Sequence, residues 1–138
     1  MRFTPTGADT SIEQTKARID NYQEHQTAHG FSRWIMLDRR LDRAIGDSGL
    51  LELQEYGWID LGFRLAQSYW GNGLATEAAS AWVRAAFDDF HIDRLTSFVH
   101  PGNVGSIRVL EKLGFHAAGR DTIMGMNSVL FSLSAKDV

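Results

Sequence analysis

Gly71-Asn72-Gly73 follows an apolar alternating run, Leu61 to Leu65, and precedes Leu74-Ala75-Thr76-Glu77-Ala78, a helix-forming stretch. A glycine turn at such a junction leaves the first N–H groups of the helix unpaired at the positive end of its dipole, where they can hold a phosphate or pyrophosphate. Two glycines at this spacing also serve simply to make a tight turn or a close helix-to-sheet contact. Thr76 stands where a dinucleotide fingerprint has its third glycine, and no Gly-Lys-Ser/Thr follows, so neither a Rossmann nor a Walker loop is present. The chain contains no cysteine, which removes thiol nucleophiles, thiolate zinc sites and disulfides and leaves oxygen and nitrogen groups for any catalysis. His25 and His29 stand one helical turn apart, a spacing that suits a shared metal, but no third ligand accompanies them and no metal is expected.

The elements that must carry these residues follow from periodicity and turn chemistry. Thr10 or Ser11 can cap a surface helix that ends at Gly30. Strand-like content occupies Phe31 to Leu37, Ala44 to Leu53 and Trp58 to Leu65, separated by the charged turn from Asp38 to Arg43 and by Glu55-Tyr56-Gly57. Gly62 inside the third strand marks a bulge or the close approach of a ligand to the backbone. A helix from Gly73 to Phe90 carries a wide apolar stripe that implies packing on a sheet. Arg94 to Val99 reads as a strand, Val104 to Leu113 as a helix stopped by Gly114, and Phe115 to Arg120 and Asn127 to Leu133 as two antiparallel strands across a loop from Asp121 to Met126. Trp34, Trp58 and Trp82 read as core residues. The expected fold is a mixed α+β sheet domain over residues 1–138. With 138 residues, 43% of them hydrophobic, the chain can bury one core. Its net charge of −3 argues against a broad nucleic-acid footprint. No stretch has the apolar length of a signal peptide or membrane span, and a cytoplasmic protein is expected.

Two motifs together resemble the GNAT superfamily of N-acetyltransferases, most closely its RimJ/RimL-type branch. The first is Gly62-Phe63-Arg64-Leu65 followed by Tyr69-Trp70-Gly71-Asn72-Gly73-Leu74-Ala75-Thr76-Glu77-Ala78. The second is Asn103-Val104-Gly105-Ser106-Ile107-Arg108-Val109-Leu110-Glu111-Lys112-Leu113-Gly114-Phe115. The resemblance implies a mostly antiparallel central sheet flanked by helices and acetyl-CoA as co-substrate. It implies that amides around Gly71, Asn72, Gly73, Leu74 and Ala75 hold the pyrophosphate. Backbone groups of Phe63 and Leu65 would bind the pantetheine arm like an added strand, with Ser106 and Asn103 meeting it from the second motif, unless Asn103 only bonds its own backbone or caps the following helix. Trp70, beside the glycine turn, would cover the cofactor or the acceptor pocket, and Arg108 and Lys112, one turn apart, would either approach the 3′-phosphate or stand as solvated basic residues. The acceptor is an amine, either a protein N-terminus or a small molecule.

Acetyl transfer to an amine needs a base to free the nitrogen lone pair and a donor where negative charge develops. Asp60 is the first candidate base, followed by Glu55 and Glu52, although alternation also places Asp60 beside Arg64 as a salt-bridge partner. Ser68 stands where the family commonly has Gln or Arg, with Gln67 one residue out of register. Leu110 replaces the tyrosine that often returns a proton to the thiolate, which leaves Ser106 as the nearest hydroxyl. His100 and His116 flank the second motif as proton relays or as surface residues. In the family a strand and helix precede the segment that matches Met1-Arg2-Phe3; the expectation here is a shortened fold without them, which would expose a sheet edge that suits a homodimer. A catalytically weak acyl-CoA-binding or regulatory module, or a phosphate-binding α/β domain, are the competing readings.

Overall fold

The computed structural model describes residues 11–138. Helix α1 (Ile12–His29) is followed by strands β1 (Arg33–Asp38), β2 (Arg43–Leu53) and β3 (Trp58–Leu65). A 3-10 turn (Gln67–Tyr69) and the glycine turn lead to α2 (Leu74–Arg84), and then come β4 (Arg94–Val99), α3 (Val104–Lys112), β5 (His116–Ile123) and β6 (Met126–Ser134). The strands form one sheet in the order β1-β2-β3-β4-β6-β5, antiparallel throughout except between β3 and β4. This is the mixed, mostly antiparallel α+β arrangement that the sequence led us to expect.

The ends of the helices follow from local chemistry. The Ser11 hydroxyl accepts the N–H of Gln14 at 3.1 Å, and α1 stops at Gly30, which takes the left-handed conformation that glycine adopts without strain. Thr10, the other candidate cap, lies outside the described residues. α1 lies on the same side of the sheet as α2: the Trp34 indole donates to Gln26 at 2.9 Å and meets the ring of Trp82. Trp34 is nevertheless 58% exposed, because β1 is an edge strand. The expectation that it belongs to the core is therefore corrected.

Leu50, Leu61, Leu95 and Leu133 project from four successive strands onto one face and pack with Ala79, Val83 and Ala86 of the second helix and Leu110 of α3. Each of the four strand leucines is at most 1% exposed. Two further boundaries differ from the sequence reading. The second helix does not run evenly to Phe90, because Ala85–Asp89 widens into a π-turn in which the Phe90 N–H reaches the Ala85 carbonyl. The expected loop from Asp121 to Met126 is a two-residue hairpin turn, Met124-Gly125, with φ of 50° and 81° and with Ile123 paired to Met126. Positive φ at both positions matches the twist of the flanking strands.

Candidate functional site

The candidate residues gather at the β3–β4 junction. Only Asp60 and Thr96 form a registered pair between these parallel strands, while β3 continues to Leu65. Its direction of pairing can be read from the other side. The Ala66 N–H donates to the Ile45 carbonyl at 2.7 Å, and hydrogen-bonded pairs alternate along an antiparallel ladder. Arg64 therefore faces Asp47 as a bonded pair, whereas the backbone groups of Phe63 and Leu65 turn away from β2 toward the open wedge. Two observations agree with this. The Ser97 hydroxyl donates to the Leu61 carbonyl at 2.8 Å, and the Trp70 indole donates to the Leu65 carbonyl at 2.8 Å. The wedge is thus lined on one side by strand donors and acceptors that lack a partner strand.

The glycine turn stands at the wide end of this wedge. Gly71 and Gly73 have φ of 82° and 76°, and no atom would crowd a Cβ at either, so these glycines are needed for backbone conformation rather than for space. Ser11 and Asn103 cap α1 and α3 with their side chains, but no side chain caps α2. Its first intrahelical bond is that of Glu77 to the Gly73 carbonyl, which leaves the amides before Glu77 directed outward. Tyr69 anchors one side of the turn by donating to Asp38 at 2.7 Å, and Trp70, 57% exposed, anchors the other through Leu65. Nothing in the spacing of Asp38 and Tyr69 announced this brace, which spans 31 positions.

Asp60 marks the closed end of the wedge. It is 4% exposed, with Oδ1 unpartnered among the described residues. Burial pushes its carboxyl up to about 7, against the pull of Arg33 and of a hydrogen bond from the Phe98 backbone. The ion-pair partner of Arg64 is Asp47, which Arg33 also binds at 2.6 Å, so the expected reading of Asp60 as the partner of Arg64 gives way to a larger cluster. Burial opposes ionisation of Asp47, but Arg33 and Arg64 together hold its carboxyl below the usual range. Gly62 marks no bulge: the β2–β3 register runs unbroken, and the Arg33 guanidinium occupies the space where its Cβ would stand.

The remaining candidates separate. Glu52 pairs with Ile59 in register, so it faces the side opposite Asp60, where it meets His29 Nδ1 at 2.8 Å. Glu55 is exposed in the β2–β3 turn. His25 is a structural bridge: Nδ1 lies 2.8 Å from the Phe31 carbonyl, and Nε2 accepts the Glu52 N–H at 2.9 Å. Asn103 caps α3, its Oδ1 accepting the Ser106 N–H at 3.1 Å, which leaves its amide group as a donor. Ser106 is half-buried beside it. His100 Nδ1 accepts the Gly102 N–H within its loop, and His116 is exposed on β5. Arg108 and Lys112 are exposed on α3. Leu110 is fully buried, so the position of the absent tyrosine is part of the core. Among the described residues no three His, Asp or Glu side chains are placed to hold a metal, and no helix is long and apolar enough to cross a membrane.

A splayed parallel strand pair with a glycine turn at its mouth defines a class, and comparison with known proteins gives the same one. Residues 1–116 match the acetyltransferase (GNAT) domain family, and the chain belongs to that family. It is 32% identical over 105 residues to YkkB of Bacillus subtilis, and 28% identical over 120 residues to p20 of Bacillus licheniformis, a protein named as an N-acetyltransferase. These matches cover 75% and 86% of this chain but 61% and 66% of the relatives, so the chain spans less than two thirds of either. The fold is shared with the ribosomal-protein-S5-alanine acetyltransferase from Vibrio fischeri, at a TM-score of 0.77 and 22% identity over 91% of this chain and 73% of that one. It is also shared with an aminoglycoside acetyltransferase in complex with coenzyme A, at a TM-score of 0.66 and 22% identity over 81% and 70% of the two chains.

Proposed function

We propose that the protein is an N-acetyltransferase that moves the acetyl group of acetyl-CoA to a primary amine, by direct attack with both substrates bound. The observation that carries this reading is the continuity of the wedge: an uncapped helix start at one end, outward-facing strand backbone at Phe63 and Leu65 between, and buried Asp60 at the other. The amides of Gly71, Asn72, Gly73, Leu74 and Ala75 would hold the pyrophosphate, each charge-assisted bond contributing roughly 1.5–3 kcal/mol. Phe63 and Leu65 would pair with the amides of the pantetheine arm once the Trp70 indole gives up the Leu65 carbonyl, with the Asn103 amide donating from the facing loop. From Leu65 down to Asp60 the strand runs about 17 Å, which brings the far end of an extended arm to the carboxylate. Acetyl-CoA supplies the activated acyl group.

Within that arrangement Asp60 removes the proton of the ammonium, directly or through water, and a β3 amide polarises the acetyl carbonyl as charge develops on it. A titration midpoint near neutrality suits a base that must take and release a proton each turnover. Ser106 is the hydroxyl nearest to a role in returning a proton to the thiolate. For the acceptor we favour a protein N-terminal α-amine, as in the RimJ/RimL-type branch. Likeness to the ribosomal-protein acetyltransferase supports this at the level of fold alone.

Isothermal titration with acetyl-CoA, CoA and AMP tests the site, and an amine screen of free and N-blocked peptides alongside small polyamines tests the acceptor. Gly73→Glu places bulk and negative charge at the turn and should weaken CoA binding by about 100-fold, equivalent to about 3 kcal/mol. Binding of both CoA species that survives this change, or binding of AMP but not CoA, would overturn the assignment. CoA binding without turnover on any amine would favour a binding or regulatory module.

A further inference from the structure

Arg33 stands two strands from Asp60 but on the same side of the sheet. In register, Arg33 pairs with Gly49, and Gly49 pairs with Gly62. Gly62 leaves open space that the arginine side chain fills: a Cβ there would stand 2.7 Å from Cζ of Arg33 and closer still to Nη1. Gly49 serves a different end, the close approach of β1, since a Cβ on it would run into the Ser32 carbonyl oxygen. The guanidinium donates from Nη2 to Asp47 Oδ1 at 2.6 Å, while Arg64 holds the other carboxylate oxygen. Two buried polar atoms in this region have no partner among the described residues: Nε of Arg33, a donor, and Oδ1 of Asp60, an acceptor.

We propose that Arg33 is the positioning residue for Asp60: its guanidinium, seated in the space left by Gly62 and braced by Asp47, supports the carboxylate form that accepts the proton of the amine. The proposal rests on the reading of Asp60 as the base. Burial alone favours the neutral acid, and an acid that never ionises near pH 7 cannot take a proton. A full, unshared cation at contact would have the opposite fault, since it would make the carboxylate too weak a base. Arg33 lies between these limits because its charge is shared with Asp47. Thr96 of β4 is the register partner of Asp60, Arg33 and the Phe98 N–H act on its carboxyl, and Asp47 and Arg64 lie further along the same side of the sheet.

The two members of the brace should act with opposite sign. Removing the cation makes Asp60 harder to ionise. Removing the Asp47 charge frees the cation and makes ionisation easier. The test is a carboxyl carbon NMR titration of Asp60 in the full chain, assigned with Asp60→Asn, alongside the pH profile of kcat/KM for acetyl transfer. Arg33→Met should move the Asp60 midpoint up by roughly one pH unit, and Asp47→Asn should move it down by a comparable amount. Gly62→Ala keeps every charge but displaces the guanidinium, so it should move the midpoint upward even if Arg33→Met does not fold. Midpoints that stay in place, or that move the same way in Arg33→Met and Asp47→Asn, would overturn the role of Arg33. Midpoints that move as expected under an unchanged pH–rate profile would instead overturn the reading of Asp60 as the base.

Discussion

Replacing Asp60 by asparagine should make the protein slower and, above neutral pH, more stable. Burial lifts the carboxyl from its ordinary 3.8 to about 7, so between these values the folded chain keeps a proton that the unfolded chain has released. Stability therefore falls as pH rises through this window and levels off above it. About three pH units at about 1.36 kcal/mol each set an upper bound of about 4 kcal/mol on the cost of ionised Asp60 in the folded state. Asparagine has the shape of the neutral acid without its titration. Asp60→Asn should match the wild type near about pH 4 and exceed it by about 2–4 kcal/mol near about pH 8, while acetyl transfer falls by about 100-fold. Urea unfolding of both proteins across this range measures the effect, and taking their difference cancels every carboxylate they share. A difference that does not change with pH would refute the reasoning, because it would mean that Asp60 titrates alike in the folded and unfolded chains.

Two further outcomes follow from the packing of the helices. Burial and the neighbouring His29 depress protonation of His25, against the opposing influence of the Phe31 carbonyl and Glu52. The neutral ring that bridges α1 to β2 therefore persists below the ordinary value of 6.5 and is lost only at more acid pH, where exchange of the Glu52 amide should quicken; an amide that stays equally protected down to strongly acid pH would contradict this. Leu61→Ala opens a cavity at the centre of the sheet, where the side chain is fully buried, and should lower unfolding free energy by about 2–5 kcal/mol in denaturant melts, whereas a loss below about 1 kcal/mol would mean that the surrounding helices collapse into the gap.

Local chemistry explains which parts of the molecule were legible in the sequence. β3 has the bounds that its alternation and the Gly57 turn predict, and α3 starts at the asparagine that caps it. The β5–β6 turn was misread because Met124 is not one of the residues that usually take positive φ. The π-turn was hidden for another reason: apolar spacing continues through Ala86 and Phe90, and a change of hydrogen-bond partner leaves no mark on it. Asp60 drew attention as an acid within an apolar strand beside the glycine motif. Arg33 did not, because its relation to Asp60 depends on the register of three strands, and Gly62 makes room for the guanidinium only when those strands align. The Tyr69–Asp38 brace is equally non-local.

The single registered pair between β3 and β4 also has a mechanical meaning. A continuous sheet shares strain over many ladder bonds, but here β1-β2-β3 and β4-β6-β5 meet at one registered pair, supplemented by the Ser97–Leu61 bond and by the Phe98 N–H on Asp60. The two halves behave as plates joined at a seam. Core packing of Ala79 and Val83 from α2 with Leu110 from α3 ties them together from one side. Compliance would therefore concentrate along the β3–β4 cleft, where the proposed cofactor arm would lie, and each half can keep its own ladder intact as that cleft widens or narrows.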